Sequence, residues 1–204
     1  SADGKTAFVT NYGSQTPGNS LSMIDLVNLK ETRIDLRPMV RPHGIDIANG
    51  QVWFTAEGSK LIGRYDPAVK QVAELLGTGQ NGTHMVLFSQ DKTKIFTTNM
   101  GSDTVSIFTH APDGVTWNQA LVPVGKGPEG LDLSPDGKEL WVSQLRDGGV
   151  AIIDVEERKL KHTFDIGTKR SNRIKFAPDG KKVLVSDLAG GELLVIDVAS
   201  RKTI

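Results

Sequence analysis

The sequence predicts an all-β protein, a β-propeller built from four-stranded blades. Three observations support this: a repeat of about 44 residues, four short strand patterns in each repeat, and no apolar periodicity of the helical kind. The period is clearest in the hydroxyl residues that close each copy, which are spaced by 45, 43, 45 and 43 residues: Thr10, Thr55, Thr98, Ser143 and Ser186. A period in the forties with four strands per unit is typical of propeller blades.

Each repeat predicts its strands in the same order. The first strand alternates apolar and polar residues, as in 128–133, and a turn such as Ser134-Pro135-Asp136-Gly137 follows, in which proline and glycine supply the required backbone angles. The second strand is apolar almost throughout, as expected for a sheet that is covered on both faces. The third ends in an aspartate, as at Asp154, and the polar fourth strand suits an exposed outer edge.

Bulk composition excludes several kinds of function. Lys plus Arg and Asp plus Glu both number 24, so the formal net charge is zero and no nucleic-acid partner is expected. Cysteine is absent, which excludes thiolate catalysis and cysteine-ligated zinc. No apolar run approaches the roughly 20 residues of a membrane-spanning helix. We expect a periplasmic, secreted or cell-surface protein, with any leader peptide removed or outside this sequence.

The predicted channel mouth collects the candidate site residues. Identical positions of radially repeated units lie on one ring, and the inner strands place four residues there: His43, His84, Glu129 and Asn172. Arg173 follows the last of these. The ends of the second strands add Asn11, Glu57, Asn99, Gln144 and Asp187 as channel-lining residues. Two histidines and a glutamate on consecutive blades could bind a divalent metal, so His43, His84 and Glu129 are candidate ligands. A hydrated channel without a ligand is the alternative.

Several short motifs resemble a known family of propellers. Residues 8–11 (Phe-Val-Thr-Asn) and 96–99 (Phe-Thr-Thr-Asn) resemble the Tyr-Val-Thr-Asn box of the YVTN β-propellers, and residues 101–107 and 125–130 are similar to that family's repeats. Because members of that family are typically seven-bladed, the resemblance implies that this chain is part of a seven-bladed propeller. We predict a single, incomplete domain over residues 1–204 with about 4.6 repeats, at about 1–37, 38–79, 80–126, 127–169 and 170–204. A five-bladed ring with unusual closure is the alternative.

One repeat also resembles a family of enzymes. Pro42-His43-Gly44-Ile45, then Val52-Trp53-Phe54-Thr55 with Glu57, is similar to a repeat of the streptogramin (virginiamycin B) lyases, propellers that open a cyclic depsipeptide by magnesium-assisted elimination. The resemblance implies that His43 is the acid/base residue and that Glu57 is a metal ligand or its partner. In that family the glutamate directly follows Trp-Phe-Thr, whereas Ala56 intervenes here, and alternate strand residues face opposite sides. The sequence leaves open which side Glu57 faces.

The sequence therefore favours a non-catalytic propeller that binds an unidentified small molecule or protein at its channel mouth and needs no cofactor. Two alternatives stay open. One is a metal-assisted lyase that uses His43, Glu57 and a divalent ion such as Mg²⁺. The other is a lactonase-like hydrolase, because residues 102–108 resemble repeats of bacterial lactonases, and channel residues such as Arg173 would serve that reaction.

Overall fold

A computed structural model describes residues 1–204, and its regular structure is nineteen strands and one short 3-10 turn, Glu57–Ser59, between β5 and β6. The strands are β1 Thr6–Gly13, β2 Pro17–Asp25, β3 Lys30–Asp35, β4 Pro42–Ala48, β5 Gln51–Ala56, β6 Leu61–Asp66, β7 Gln71–Gly77, β8 Thr83–Phe88, β9 Lys94–Asn99, β10 Thr104–His110, β11 Trp117–Pro123, β12 Pro128–Leu133, β13 Glu139–Gln144, β14 Gly149–Asp154, β15 Lys159–Asp165, β16 Ser171–Phe176, β17 Lys182–Asp187, β18 Glu192–Asp197 and β19 Lys202–Thr203.

The strands form five antiparallel sheets, each made of strands consecutive in the chain, which we number blades 1 to 5. Blade 1 has three strands, β1 to β3, and β1 matches the second strand of the later blades. Blades 2 to 5 have four strands each, although β19 is only two residues long. The prediction of an all-β propeller is confirmed. No helix is long and apolar enough to cross a membrane.

Hydrophobic cores lie at the four junctions between neighbouring blades. The second strand of a blade serves two of them, because its side chains alternate between the faces of the sheet. Phe54 packs into the core between blades 1 and 2, whereas Trp53 packs between blades 2 and 3. Phe96 and Trp141 take the position of Trp53 in the cores between blades 3 and 4 and blades 4 and 5, and all three rings are buried. Leu184, at the same position in blade 5, is half-buried because its face of the sheet has no neighbour.

The closing hydroxyl of each repeat connects neighbouring blades. Thr55 accepts the N–H of Gly44 from its own inner strand at 2.8 Å and donates to the carbonyl of His84 in the next blade at 2.6 Å. Thr98 repeats this arrangement, donating to the carbonyl of Glu129 at 2.8 Å. The pairing of inner and second strands is irregular at this point, which leaves backbone groups that the hydroxyl satisfies. The regular hydroxyl spacing in the sequence therefore reflects a contact between blades.

Blades 2 and 4 share two further features that blade 3 lacks. Gly44 and Gly130 lie where the next blade's inner strand approaches closely, since a Cβ there would be 2.6 Å from the carbonyl oxygen of His84 or 2.5 Å from that of Asn172. Two residues later, the carboxylates of Asp46 and Asp132 accept the backbone N–H groups of Phe88 and Phe176, at 2.9 and 2.7 Å. The junctions between blades 2 and 3 and between blades 4 and 5 are therefore built alike.

Candidate functional site

The starts of the inner strands form one side of the propeller, and the candidate residues meet there. His43, His84 and Glu129 are the second residues of β4, β8 and β12, as the repeat register predicts, and Asn172 holds this position in β16. Hydroxyl contacts from Thr10, Thr55 and Thr98 to the carbonyls of His43, His84 and Glu129 position this ring of backbone. We call the side chains that meet here the mouth cluster: His43, Glu57, His84, Glu129 and Arg173.

His84 is the centre of the mouth cluster. In its protonated form it donates from Nδ1 to Glu57 Oε2 at 3.4 Å and from Nε2 to Glu129 Oε1 at 3.0 Å, so one ring joins residues of three blades. The residue is only 7% exposed. Burial by itself lowers the pKa of His84, but the hydrogen bonds to Glu129 and Glu57 outweigh burial and raise the pKa above its ordinary value. The cluster therefore favours the protonated form of His84 more than water does.

His43 stacks directly on His84 but has the opposite electrostatic character. The ring centroids are 3.7 Å apart with 26° between the planes, and the rings of Tyr12 and His43 meet in an edge-to-face arrangement at 5.3 Å. Burial, and then the nearby charges of His84 and Arg173, lower the pKa of His43 to about 4. Its Nδ1 atom is buried and has no hydrogen-bond partner. The pKa values of these two neighbouring imidazoles are thus shifted in opposite directions, and His43 has an unused polar atom.

Arg173 connects the mouth cluster to solvent. Its Nη1 donates to Glu129 Oε2 at 2.5 Å and lies 3.7 Å from the sulfur of Met85, two blades away. The side chain of Glu129 is 5% exposed, whereas that of Arg173 is 49% exposed. A second cation, Arg41, lies over the ring of Tyr12 at 5.1 Å. Arg173 therefore gives the exposed side of the cluster a positive charge, paired with the buried carboxylate of Glu129.

Glu57 reaches the mouth cluster because of the extra residue before it. Ala56, not Glu57, directly follows the closing hydroxyl and corresponds to Asn99 of the next blade, so grouping Glu57 with Asn99 was wrong by one residue. Glu57 instead begins the 3-10 turn, which Lys60 ends in a left-handed conformation. Burial raises the pKa of Glu57, but hydrogen bonds from His84 and Tyr12 and the nearby positive charge lower it overall. The insertion thus directs the carboxylate toward His84.

The other second-strand ends lie inside the blades rather than on the channel wall. Asn99 is fully buried and donates to Thr104 and Ser106 of its own blade, and Asn11 likewise donates to hydroxyls of β2. Asp187 is buried and accepts backbone N–H groups of the preceding loop, and Gln144 is buried too. The prediction that Asn99, Gln144 and Asp187 line the channel does not match these positions. Asn172 is half-buried on the ring and Arg173 is exposed there.

The sequence does not predict two residues that lie beside the mouth cluster, Tyr12 and Arg41. Tyr12 follows the closing hydroxyl of blade 1 by two residues, the same distance that separates Glu57 from Thr55. That offset, applied to blade 1, would have identified Tyr12. Arg41 lies in the connection before β4, outside the strand pattern, and no repeat position indicates it.

The arrangement of His43, His84 and Glu129 does not form a metal-ligand set. No group of three or more His, Asp or Glu side chains is arranged to hold a metal ion. Both ring nitrogens of His84 already face carboxylates, and its ring stacks on that of His43, so the in-plane lone pairs of the two rings do not converge. Metal binding by these residues stays a prediction, and we derive no chemical step from it.

Comparison with known proteins identifies the fold. No protein-family model and no curated protein sequence matches the chain. Among solved structures, a candidate 6-phosphogluconolactonase from Bacteroides uniformis is 20% identical with a TM-score of 0.76, and the match covers 100% of this chain and 68% of that one. A streptogramin B lyase structure is 17% identical with a TM-score of 0.66, covering 78% of this chain and 52% of that one.

A third similar structure is a functionally unknown protein from Desulfotomaculum acetoxidans, 16% identical with a TM-score of 0.74 over 91% of this chain and 63% of that one. This chain therefore spans about half to two thirds of the length of the three solved structures. At these identities the similarity shows the fold alone. The chain has the fold of a β-propeller.

Proposed function

We propose that this protein is a non-catalytic binding propeller that holds a small molecule or a protein segment at the mouth cluster. One observation carries the proposal: the buried ring of His84 lies between two carboxylates and stacks on His43, whose Nδ1 has no partner. A polar ligand that pairs with this nitrogen and contacts Arg173 would complete the hydrogen bonding of the site.

The energetics of buried polar groups support this assignment. Placing charges inside a protein is costly even when they are paired, and apolar residues of similar volume often stabilise as well or better. Glu57, His84 and Glu129 are therefore a poor choice for stability alone. Buried polar atoms are almost always hydrogen-bonded, so an unpartnered Nδ1 on His43 favours a partner from outside the chain. Perturbed histidines of this kind are concentrated in functional sites.

A ligand screen with matched variants tests the proposal. Small polar compounds are screened by saturation-transfer NMR, and each hit is titrated against His43→Phe, which keeps a stacking ring but removes Nδ1, and against Arg173→Ala. We expect both variants to weaken binding about tenfold or more, the cost of roughly one hydrogen bond to a charged or buried group. Lys175→Ala is the control, because Lys175 lies two residues beyond Arg173 and is bound to Asp132. Hits that are insensitive to both variants contradict the proposal.

A lyase-like or lactonase-like activity is the second candidate. It is favoured by the opposite pKa directions of His43 and His84, because neighbouring groups with separated pKa values can act as base and acid. The neutral His43 would accept the proton in this scheme, and Glu57 would hold the acid, His84, in position. Metal binding at the cluster is a separate prediction, tested by whether Mn²⁺ or Zn²⁺ raises the melting temperature of the wild type and not of His43→Ala/His84→Ala.

Mass spectrometry separates the two reactions. An elimination opens a cyclic depsipeptide without changing its mass, whereas hydrolysis of a lactone adds one water. Activity that is lost in His43→Ala and kept in His162→Ala, which changes an exposed residue of β15, would support catalysis at the mouth cluster. No product from either substrate class would leave binding as the role of the site.

A further inference from the structure

A cavity lies at the end of the junction between blades 2 and 3 that is opposite the mouth cluster. Its volume is about 220 Å³, and it opens beside the turn between β4 and β5, at Ala48, Asn49 and Gln51. His43 is the second residue of the same strand and lies five residues before Ala48, about 16 Å away at the usual rise of a strand. The cavity is therefore separate from the mouth cluster. We call it the Trp117 pocket, after the ring that forms its outer wall.

Aromatic rings form the walls of the Trp117 pocket. Trp53 lies 5.2 Å from Phe88 and 6.2 Å from Trp117, centroid to centroid, in edge-to-face arrangements, so the three rings enclose a corner. His110 stacks on Trp117 at 3.7 Å, where β10 pairs with β11. Trp53 and Phe88 are each 5% exposed, whereas Trp117 is half-buried. The pocket thus has a rigid apolar interior with an open side.

Hydrogen bonds hold the polar side of the pocket in place. The indole N–H of Trp117 donates to Glu74 Oε1 at 3.0 Å, and Arg64 Nε donates to the other carboxylate oxygen at 2.9 Å. Arg64 also donates to the side-chain oxygen of Gln51 at 3.0 Å. The charges of Arg64 and Glu74 therefore offset each other, and Trp117 is fixed across the junction between the two blades.

One cation of the pocket has no counter-charge. The ammonium of Lys92 lies 6.0 Å from the centroid of Phe88 and takes part in none of the protein's ion pairs. With Arg64 and Glu74 balanced, the pocket carries an excess positive charge beside an aromatic surface. Ligand sites combine such an apolar lining with a few placed polar groups.

The equivalent place between blades 4 and 5 also has a cavity, of about 420 Å³, but Phe176 is the single aromatic residue in its lining. Trp141, the counterpart of Trp53, is fully buried and contacts Phe164 and Phe176 at 5.7 and 5.4 Å. Its indole N–H donates to Glu139, which is also paired with Lys161. The counterpart of Lys92 in the turn of blade 5 is Gly180, so the cation is absent there. The cavity thus recurs between blades, whereas its aromatic lining beside a lysine is specific to the junction between blades 2 and 3.

We propose that the Trp117 pocket binds a small aromatic carboxylate, with its ring against Trp53 and Trp117 and its carboxylate on Lys92. The cavity is below the usual range of roughly 300–1,000 Å³ for ligand pockets, which limits the ligand to about a single ring. Aromatic rings favour another ring in edge-to-face or offset contact. A carboxylate is the group that balances the unpaired ammonium, in a charge-assisted hydrogen bond.

Lys92 allows a substitution that removes the charge without harming the fold. Lys92 has a left-handed φ of 61°, and glycine occupies the same turn position at Gly137 (73°) and Gly180 (69°). Because glycine adopts this conformation without strain, Lys92→Gly should leave the melting temperature unchanged or slightly higher. Lys94→Gln is the matched control, since it removes a charge two residues away that does not line the pocket.

Benzoate titrations followed by tryptophan fluorescence test this proposal, since two of the three tryptophans lie in the pocket. We expect saturable benzoate binding, weakened about tenfold in Lys92→Gly and unchanged in Lys94→Gln and Arg173→Ala, a factor that corresponds to one lost charge-assisted hydrogen bond. Benzyl alcohol, which lacks the charge, and cyclohexanecarboxylate, which lacks the aromatic ring, should bind more weakly. Absence of saturable binding, or equal affinity in wild type and Lys92→Gly, would overturn the proposal. Loss of binding in Arg173→Ala alone would place benzoate at the mouth cluster and overturn it too.

Discussion

The junction between blades 2 and 3 and the junction between blades 4 and 5 share one scaffold but carry different side chains. Gly44 and Gly130 admit the next inner strand at each, and the carboxylates of Asp46 and Asp132 bind it. On this common frame the first junction carries two stacked histidines at the mouth. The second has Glu129 and Asn172 at the same two positions.

The difference separates residues that hold the blades together from residues that are free to serve a ligand. Features present at both junctions are explained by packing and backbone hydrogen bonding. The stacked histidines, with the unpartnered His43 Nδ1, and the aromatic lining beside Lys92 occur at the first junction and lack such an explanation. On this basis we propose that ligand contacts centre on the junction between blades 2 and 3, with Glu129 of blade 4 and Arg173 of blade 5 completing the mouth cluster.

The largest expected effect is a loss of stability at the junction between blades 4 and 5. Trp141→Ala should lower the free energy of unfolding by about 3–5 kcal/mol, because it removes a fully buried aromatic ring. Leu184→Ala, at the same strand position but half-buried, should cost clearly less. Urea unfolding monitored by circular dichroism measures both. A negligible change for Trp141→Ala would mean that the equivalence of the second strands is wrong.

Substitution of Gly44 or Gly130 should give the next largest loss of stability, and the loss should be similar at the two junctions. Gly44→Ala and Gly130→Ala should each cost about 1–3 kcal/mol of unfolding free energy, since the new Cβ meets the backbone of the neighbouring blade. Gly77→Ala is the control, because no atom lies within 4 Å of a Cβ at that position. If only one of the two glycines proved sensitive, the two junctions would not share a scaffold.

The repeat pattern in the sequence predicts some residues of the candidate site correctly and fails for others. The repeat places His43, His84 and Glu129 on one ring, because identical positions in stacked units must be neighbours. It fails for Asn99, whose partners are hydroxyls at alternate positions of the next strand, Thr104 and Ser106. The alternating hydroxyl residues of β10 are visible in the sequence, and they indicate that the side chain of Asn99 points toward its own blade.

Features that depend on contact between unequal repeats could not be predicted. The stacking of His43 on His84 requires the backbone approach that Gly44 permits, and nothing in the repeat pattern gives the distance. The Trp117 pocket brings together residues 53, 88 and 117 from three different strands, and Trp117 lies in an outer strand, the least regular part of the repeat.

A smaller, pH-dependent effect should distinguish the two histidines. His84 has a folded-state pKa raised above its unfolded value of 6.5, so its stabilisation is complete below pH 6.5 and is lost as the pH rises through the folded-state pKa. His43 has a lowered pKa of about 4, so the stability of its neutral form is present above pH 6.5 and is lost as the pH falls toward 4.

Unfolding free energies of the wild type, His43→Gln and His84→Gln between pH 4 and 8.5 measure these contributions. The deficit of His84→Gln relative to wild type should shrink at the alkaline end of this range. His43→Gln should lose less stability than wild type on acidification from about pH 6.5 to 4. Parallel curves for the three proteins would show that the mouth cluster does not separate the two protonation states.

The most direct test of the account is to map where small molecules bind. Amide ¹H–¹⁵N correlation spectra of the intact chain, recorded with and without a mixture of small polar and aromatic fragments, report on both junctions at once. We predict shifts at the amides of His43, Glu57 and His84 and around Trp53 and Trp117, with Trp141 and Phe176 unaffected. Shifts centred on Trp141 and Phe176, or none at the junction between blades 2 and 3, would contradict the assignment of binding to that junction.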